Sequence, residues 1–183
     1  MDWWIIAALI GAALLIPTAY AGAIGAPWAP TRMSAVKKAF DDIGISDKDL
    51  VVDLGAGDGS IVREAVSRRA RAVGYELSPI MWIVAWVRTF RFKKSRIAYG
   101  NFFKKTLPKD TTLVFLFLMP NHMDAVGKFL AKQPIGEKTL VLSYAFAFQD
   151  VHSLHIYREK KCAPLYLYEL SALRDNAIPL GRS

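Results

Sequence analysis

Three groups of residues have the types and the spacing that are typical of a site for a nucleotide-containing ligand. The first is the glycine-rich segment Asp53-Leu54-Gly55-Ala56-Gly57-Asp58-Gly59, which directly follows a short apolar run. Glycine lets the backbone approach a ligand where a Cβ atom would collide. The second is Glu76, which ends the next apolar run 23 positions after Asp53, where an acid can accept hydrogen bonds from a ribose. The third is Pro120-Asn121, which follows a long apolar run.

The elements that would position these residues alternate between strand and helix. Apolar runs that predict parallel strands cover 50–54, 72–77, 96–101, 111–119 and 139–148. Helical patterns lie before and between them, and Thr31 is a possible N-cap of the first helix. Because the carboxyl ends of parallel strands meet at one edge of a sheet, the three groups should lie close together. The sequence therefore predicts an α/β fold with one ligand site at that edge.

The spacing of the glycines decides between nucleotide cofactors. A dinucleotide-binding loop has glycines at its first, third and sixth positions, whereas here the sixth position from Gly55 is Ser60 and the third glycine is Gly59. The pattern Asp53-x-Gly55-x-Gly57-x-Gly59 resembles motif I of the class I S-adenosylmethionine-dependent methyltransferases. An acid at the end of the strand also suits the cationic methionine end of that cofactor better than it suits a pyrophosphate.

Further features narrow this resemblance to one group. They are an apolar N-terminal segment, Ala29-Pro30-Thr31, Gly74-Tyr75-Glu76-Leu77-Ser78-Pro79, and a fourth strand that ends in Phe-Leu-Met-Pro. With these features the chain resembles the small membrane-anchored protein-lysine methyltransferases that modify the ATP synthase c-subunit and the adenine nucleotide translocase. The resemblance implies a Rossmann-like sheet of seven strands, parallel except for an antiparallel C-terminal hairpin over 154–159 and 164–170. It also implies methylation of a lysine on a membrane-associated protein.

The resemblance also implies roles for individual residues. The cofactor would be bound by Thr31, Asp53, Gly55, Ala56, Gly57, Asp58, Gly59, Glu76, Leu77, Asn101 and Phe102. Pro120 and Asn121 would act at the lysine, which must first lose its proton because an ammonium group has no lone pair. We expect backbone carbonyls near Met119 and Pro120, with the Asn121 side chain, to orient the amine. His122 is either a proton acceptor or a surface residue.

The N-terminal segment 3–24 contains 22 residues and no charge. Its length and composition predict one transmembrane helix within an anchor at 1–28, followed by a methyltransferase domain at 29–173 and a disordered tail at 174–183. A signal peptide cleaved near Ala19-Tyr20-Ala21 is the alternative, although no basic residue precedes the apolar segment. Basic residues after the segment would place the domain on the cytoplasmic side, or on the matrix side in a mitochondrion.

A second apolar run, 80–87, is followed by a basic cluster. The cluster consists of Arg88, Arg91, Lys93, Lys94 and Arg96, with Phe90 and Phe92 between them, in a chain of net charge +8. An anionic membrane surface or a protein partner is one interpretation. RNA is a second and less favoured interpretation, and a packed helix followed by a solvated loop is the third.

Composition excludes other kinds of site. The only cysteine, Cys162, can form neither an internal disulfide nor a cysteine-based zinc site. His152 and His155 have no third ligand at a suitable spacing, so we expect no metal. The remaining alternatives are a methyltransferase of a lipid, a quinone or RNA, and a cofactor-binding membrane subunit without catalysis.

Overall fold

The computed structural model describes residues 2–24 and 31–177, which form six α-helices and seven β-strands. The helices are α1 (Trp3–Ile24), α2 (Met33–Ile43), α3 (Ser60–Ser67), α4 (Pro79–Thr89), α5 (Met123–Ala131) and α6 (Leu170–Ala177). The strands are β1 (Leu50–Leu54), β2 (Arg71–Glu76), β3 (Ser95–Tyr99), β4 (Leu113–Leu116), β5 (Leu140–Tyr144), β6 (His155–Tyr157) and β7 (Leu165–Glu169). Short 3₁₀ turns at Phe102–Lys104 and Pro120–His122 follow β3 and β4.

The seven strands form one sheet in the order β3-β2-β1-β4-β5-β7-β6. Strands β1 to β5 run parallel, and β7 pairs antiparallel with both β5 and β6. The order reverses between β1 and β4, and ligands of open α/β sheets bind at such a point, outside the carboxyl ends of the strands. The predicted seven-stranded sheet with an antiparallel C-terminal hairpin is confirmed.

Helices cover both faces of the sheet, which explains why its central strands β1 and β4 are apolar except for Asp53. Every residue of β1 and β4 is buried. On one face Val51 and Leu113 pack with side chains of α2, α3 and α4, and on the other Val52 and Val114 pack with side chains of α5 and α6. Neighbouring residues of a single strand therefore contribute to two separate apolar cores.

Two strands are shorter than the apolar runs predict. β4 ends at Leu116 and not near residue 119, because its neighbour β1 ends at Leu54 and turns into the glycine-rich loop. β5 ends at Tyr144 and does not continue to 148, because Ala145 has a left-handed backbone with φ 71°. Both strands therefore end at the carboxyl edge of the parallel strands, which is where the site is predicted.

The start of α2 and the start of the C-terminal tail differ from prediction, and they involve Thr31 and Arg174. α2 begins at Met33 with Arg32 at the N-cap position, so Thr31 does not cap it. The tail predicted to be disordered from 174 begins inside α6. The Arg174 guanidinium fixes α6 by donating hydrogen bonds to backbone carbonyls of Ala131 (3.2 Å), Gln133 (2.9 Å) and Ile135 (3.0 Å). Residues 178–183 lie outside the described residues.

The N-terminal helix α1 contacts α4. At this contact the Ser78 hydroxyl donates a hydrogen bond to the Thr18 hydroxyl, at 3.3 Å. Within residues 2–24 and 31–177, no helix has both the length and the apolar character that are needed to cross a membrane. The prediction of a transmembrane anchor at 1–28, and with it of a single-pass membrane protein with its domain on the cytoplasmic or matrix side, is therefore wrong. Residues 1 and 25–28 of that predicted anchor lie outside the described residues.

Candidate active site

The glycine-rich loop carries the chain from the end of β1 directly into α3. Gly55, Gly57 and Gly59 all have positive φ angles, of 96°, 53° and 78°. This left-handed region is open to glycine and costly for other residues. A Cβ atom at Gly59 would also lie 3.2 Å from the Cβ of Ala85, so α4 packs directly on the end of the loop.

The loop is attached to β2 by two hydrogen bonds to a single carbonyl. The backbone N–H groups of Gly55 and Ala56 donate to the carbonyl of Tyr75, at 3.0 and 2.8 Å. This approach is possible because residue 74 is glycine. A Cβ atom at Gly74 would lie 2.7 Å from the Cβ of Ala56 and 3.0 Å from side-chain atoms of Ile97 and Val62.

The Glu76 carboxylate continues this attachment from the end of β2. Its Oε2 atom accepts the Gly57 N–H at 2.8 Å, and its Oε1 atom accepts the Ser78 N–H at 2.8 Å. Burial raises the pKa of Glu76, and the hydrogen bonds from the Ser78, Gly57 and Leu77 backbone oppose that shift. A carboxylate has about four acceptor sites, so each oxygen keeps capacity for a further donor such as a ligand hydroxyl.

Asp53 is a buried carboxyl group with an unsatisfied oxygen. Asp53 is only 2% exposed to solvent. In the part of the chain that the structure describes, its Oδ2 atom has no hydrogen-bond partner. Burial, followed by repulsion from Glu76 and Asp58, raises the pKa of Asp53 well above its usual range. A cationic ligand group would supply what this site lacks, so the donor set fits the charged end of S-adenosylmethionine.

Asp58 is held by two different elements. Its Oδ1 atom accepts the Ser60 N–H at 3.1 Å, and its Oδ2 atom accepts a hydrogen bond from the Arg88 guanidinium. Burial opposes ionisation of Asp58, but the hydrogen bonds from Ser60 and Arg88 and the charge of Arg88 lower its pKa overall. The first N–H group of α3 is thus bonded within the loop and is not open to a ligand, contrary to the general expectation for a helix N-terminus.

The other predicted cofactor residues, Thr31, Leu77, Asn101 and Phe102, are partly exposed. Leu77 lies between Glu76 and the α4 cap Ser78. Asn101 caps the 3₁₀ turn after β3, where its side chain accepts the Phe103 N–H at 2.9 Å. Phe102 stands half-buried beside Phe103 and Phe129, with ring centroids 4.3 and 5.7 Å away. Thr31 stands just ahead of α2, and its role at the cofactor stays a prediction.

Pro120 and Asn121 lie in the 3₁₀ turn just after β4, and both are exposed. Because β4 is the neighbour of β1, this turn lies at the same edge of the sheet as the glycine-rich loop. A Cβ atom at Gly55 would be 3.9 Å from the Leu118 side chain, which agrees with the closeness of the two segments. His122 ends the turn and is partly buried.

The sequence did not predict two features at this edge of the sheet. Arg88 was assigned to a basic surface cluster, but it pairs with Asp58, and the 30 positions between them give no local signal of the contact. The strained Ala145 at the end of β5 was also missed. Its turn is closed by the Ser143 hydroxyl, which donates to the Phe146 carbonyl at 2.5 Å.

Comparison with known families agrees with this geometry. Residues 53–155, from the buried aspartate to the C-terminal hairpin, match the profile of the family described as the ANTKMT methyltransferase domain. The chain belongs to this family. The predicted resemblance to this group of methyltransferases is confirmed, whereas its membrane anchoring is not.

Individual relatives extend the comparison beyond the family profile. A lysine N-methyltransferase of the ATP synthase c-subunit, from Xenopus laevis, is 29% identical over 154 residues, which are 81% of this chain and 65% of that protein. A protein-lysine N-methyltransferase from Saccharolobus islandicus is 30% identical over 125 residues, covering 66% of this chain and 76% of that protein. The chain therefore spans somewhat less than two thirds of the Xenopus relative.

A solved structure shows the same fold. The crystal structure of an RNA methyltransferase from Salinibacter ruber in complex with S-adenosyl-L-homocysteine matches with a TM-score of 0.72 and 23% identity, over 78% of this chain and 94% of that one. The family match identifies residues 53–155 as a methyltransferase domain, and the likeness to the solved structure shows that the chain has the class I methyltransferase fold. Within the described ranges, no cluster of His, Cys, Asp or Glu could hold a metal ion.

The close approach at Gly74 predicts the effect of a single methyl group. In Gly74→Ala the new Cβ would clash with Ala56, so the loop must move away from β2. We expect a loss of about 1–3 kcal/mol in the free energy of unfolding, measured by urea denaturation. The control is Gly136→Ala, whose Cβ would meet nothing closer than the Thr139 hydroxyl at 3.8 Å. Equal stability of the two variants would contradict the packing described here.

Proposed function

We propose that this enzyme is a protein-lysine N-methyltransferase. The observation that supports the cofactor half of the proposal is the buried Asp53 oxygen without a partner in the described chain, next to a loop tied to Glu76. The lysine half is supported by the names of the Xenopus and Saccharolobus relatives. The likeness to the Salinibacter RNA methyltransferase, at 23% identity, supports the shared fold alone and favours no RNA substrate.

In this proposal the residues around the glycine-rich loop hold S-adenosylmethionine. When bound, the cofactor would supply a methyl group on a sulfonium: the lone pair of a neutral amine would bond to the methyl carbon as its bond to sulfur breaks, and S-adenosylhomocysteine would be the leaving group. Asp53 faces the positively charged end, and Glu76 accepts hydrogen bonds from ribose hydroxyls. The backbone at 55–59 surrounds the ligand closely, and the remaining contacts come from Thr31, Leu77, Asn101 and Phe102.

The lysine side of the reaction depends on the turn after β4. A free lysine has a pKa of about 10.4, so a site that removes water from the amine favours the neutral, reactive form. We assign the carbonyls of Met119 and Pro120 and the Asn121 side chain to accept hydrogen bonds from the amine. They orient its lone pair, and such positioning supplies a large part of catalysis in displacement reactions.

The substrate protein in this proposal is membrane-associated. Its support is a set of exposed apolar side chains in α1, in α4 and directly after α4: Trp3, Trp4, Leu9, Ile10, Leu15, Ile16, Ile83, Trp86, Val87 and Phe90. The exposed basic residues Arg91, Lys93 and Lys94 follow them in the chain. Exposed apolar and basic side chains suit the anionic surface of a membrane, and such contact requires no segment that crosses it.

The variant Asp53→Asn tests the cofactor half. The amide keeps the shape of the side chain but removes the charge, so we expect the Kd for S-adenosylhomocysteine to rise at least about tenfold, or about 1.4 kcal/mol, by isothermal titration calorimetry. Because the folded-state pKa of Asp53 is raised, its favourable contribution to stability is present at low pH and is lost as pH rises through that pKa. At a pH of about 8 the variant should therefore have a Tm equal to or above that of the wild type.

Proton release is a second measurement on the same variant. A bound cation favours ionised Asp53, so wild-type binding should release protons and tighten as pH rises through the raised pKa. Calorimetry in two buffers of different ionisation enthalpy measures that release, which should be smaller in Asp53→Asn. The control is Asp47→Asn in an exposed turn. If Asp53→Asn and Asp47→Asn both bind as the wild type does, Asp53 is not a cofactor residue.

The variant Asn121→Ala tests the lysine half. Loss of an amine-orienting group should lower kcat by about 10- to 100-fold while the Kd for S-adenosylhomocysteine stays unchanged. Single-turnover assays and calorimetry measure the two quantities separately. Asp124→Ala, on the exposed face of α5, is the control and should keep full activity. A normal kcat in Asn121→Ala would remove this residue from the mechanism.

The decisive test of the whole proposal is to find the methylated molecule. Membranes and soluble extract from cells that lack this gene are incubated with the purified enzyme and radiolabelled S-adenosylmethionine, and then separated into protein, lipid and RNA. We expect label on the lysine of a protein in the membrane fraction, and much less of it with Asp53→Asn when the cofactor concentration is well below saturation. Label in lipid or RNA alone would contradict the lysine assignment, and label on soluble protein alone would contradict the membrane association.

A further inference from the structure

Asp58 lies between Gly57 and Gly59, which have φ angles of 53° and 78°. Glycine loses more conformational freedom on folding than any other residue, so a segment flanked by two glycines is costly to order. Within the segment, the Gly59 N–H donates to the Ala56 carbonyl at 2.8 Å. From outside it, Glu76 accepts the Gly57 N–H, and a second contact reaches Asp58 itself.

Arg88 provides that contact from α4. Its guanidinium donates to Asp58 Oδ2, while Asp58 Oδ1 accepts the Ser60 N–H. The side chains of Arg88 and Asp58 are 36% and 25% exposed. This pair is therefore reached by solvent, and its importance lies in geometry more than in stability.

The guanidinium comes from a helix face that is itself packed on the loop. A Cβ atom at Gly59 would lie 3.2 Å from the Cβ of Ala85 and 3.3 Å from the Cγ2 of Thr89. Thr89 is buried, and its hydroxyl donates to the Ala85 carbonyl at 2.8 Å. Residues 85, 88 and 89 share one face of a helix because 88 and 89 are three and four positions after 85. Arg88 is thus presented to the loop from a fixed position.

Arg88 also balances the charge of the site. Asp53, Asp58 and Glu76 place three carboxyl groups around the loop, and both Glu76 and Asp58 repel charge on Asp53. Among the described residues, the salt bridge between Arg88 and Asp58 is the one that involves any of these three groups. Loss of the guanidinium would therefore free Asp58 to turn away from its position. It would also leave the three carboxyl groups without a positively charged side chain in a salt bridge to any of them.

We infer that Arg88 is a positioning residue of the cofactor site: it holds Asp58, and with it the backbone of Gly57 and Gly59, in the conformation that receives S-adenosylmethionine. This inference rests on the cofactor site proposed above. Arg88 touches neither the cofactor nor the lysine in this assignment. It affects the affinity for the cofactor through the loop and leaves the methyl transfer itself unchanged.

The test uses Arg88→Gln, Arg88→Lys and the control Arg91→Gln in the full chain. Arg91 is three positions further on and places its guanidinium 5.5 Å from the centroid of the Phe90 ring, away from the loop contact. We expect Arg88→Gln to raise the Kd for S-adenosylhomocysteine and the KM for S-adenosylmethionine about tenfold, with kcat within about twofold of wild type. Arg88→Lys should recover most of that loss, and Arg91→Gln should bind as the wild type does.

A double-mutant cycle with Asp58→Asn separates positioning from a general structural effect. If Arg88 acts through Asp58, then Asp58→Asn with Arg88→Gln should bind no more weakly than Asp58→Asn alone. The Tm of each variant should stay within about 3 °C of wild type, as expected for an exposed ion pair.

The outcomes distinguish this inference from the proposed function. If Asp53→Asn binds S-adenosylhomocysteine at least about tenfold more weakly than wild type, but Arg88→Gln binds within about twofold of wild type or more tightly, the inference about Arg88 is wrong and the cofactor site stands. Additive effects in the double-mutant cycle would equally overturn it. Failure of the wild type to bind would contradict the proposed site itself.

Discussion

The structure depends on the two N–H groups that the loop donates to one carbonyl of β2. Gly55 and Ala56 share the Tyr75 carbonyl, and this is possible only because Gly74 leaves room for the Ala56 side chain. These bonds place the end of β1 against the end of β2. They therefore bring Asp53 and Glu76 to one point, although each residue belongs to a different strand. The positions of α3 and α4 follow, because both pack on the same loop.

This arrangement has an electrostatic cost that the protein does not fully offset by itself. Glu76 is compensated by backbone N–H groups and Asp58 by Arg88, whereas the buried Asp53 keeps one oxygen without a partner in the described chain. Sites that bind a charged ligand commonly keep such an unsatisfied group, because the ligand then completes the hydrogen bonding and the charge balance. The buried Asp53 carboxyl is thus the residue of this site that best indicates its ligand.

Local sequence patterns predicted those features that depend on a few neighbouring residues. The β1 strand, the glycine-rich loop and Glu76 were predicted because strand period, glycine spacing and strand ends are local properties. The contacts of Arg88 with Asp58 and of Arg174 with the chain after α5 join residues about 30 and 40 positions apart, and no local pattern predicts them. Length and hydropathy alone also gave the wrong interpretation of α1 as a membrane-crossing helix, since the structure contains no such helix within its described residues.

The hydrogen bond between α1 and Ser78 has a thermodynamic consequence. Ser78 donates its hydroxyl to Thr18 of α1 and its backbone N–H to Glu76, so one residue contacts both the N-terminal helix and the ribose-binding acid of the proposed site. If the docking of α1 changes the free energy of ligand binding at Glu76, ligand binding changes the free energy of α1 docking by the same amount, because such coupling is reciprocal.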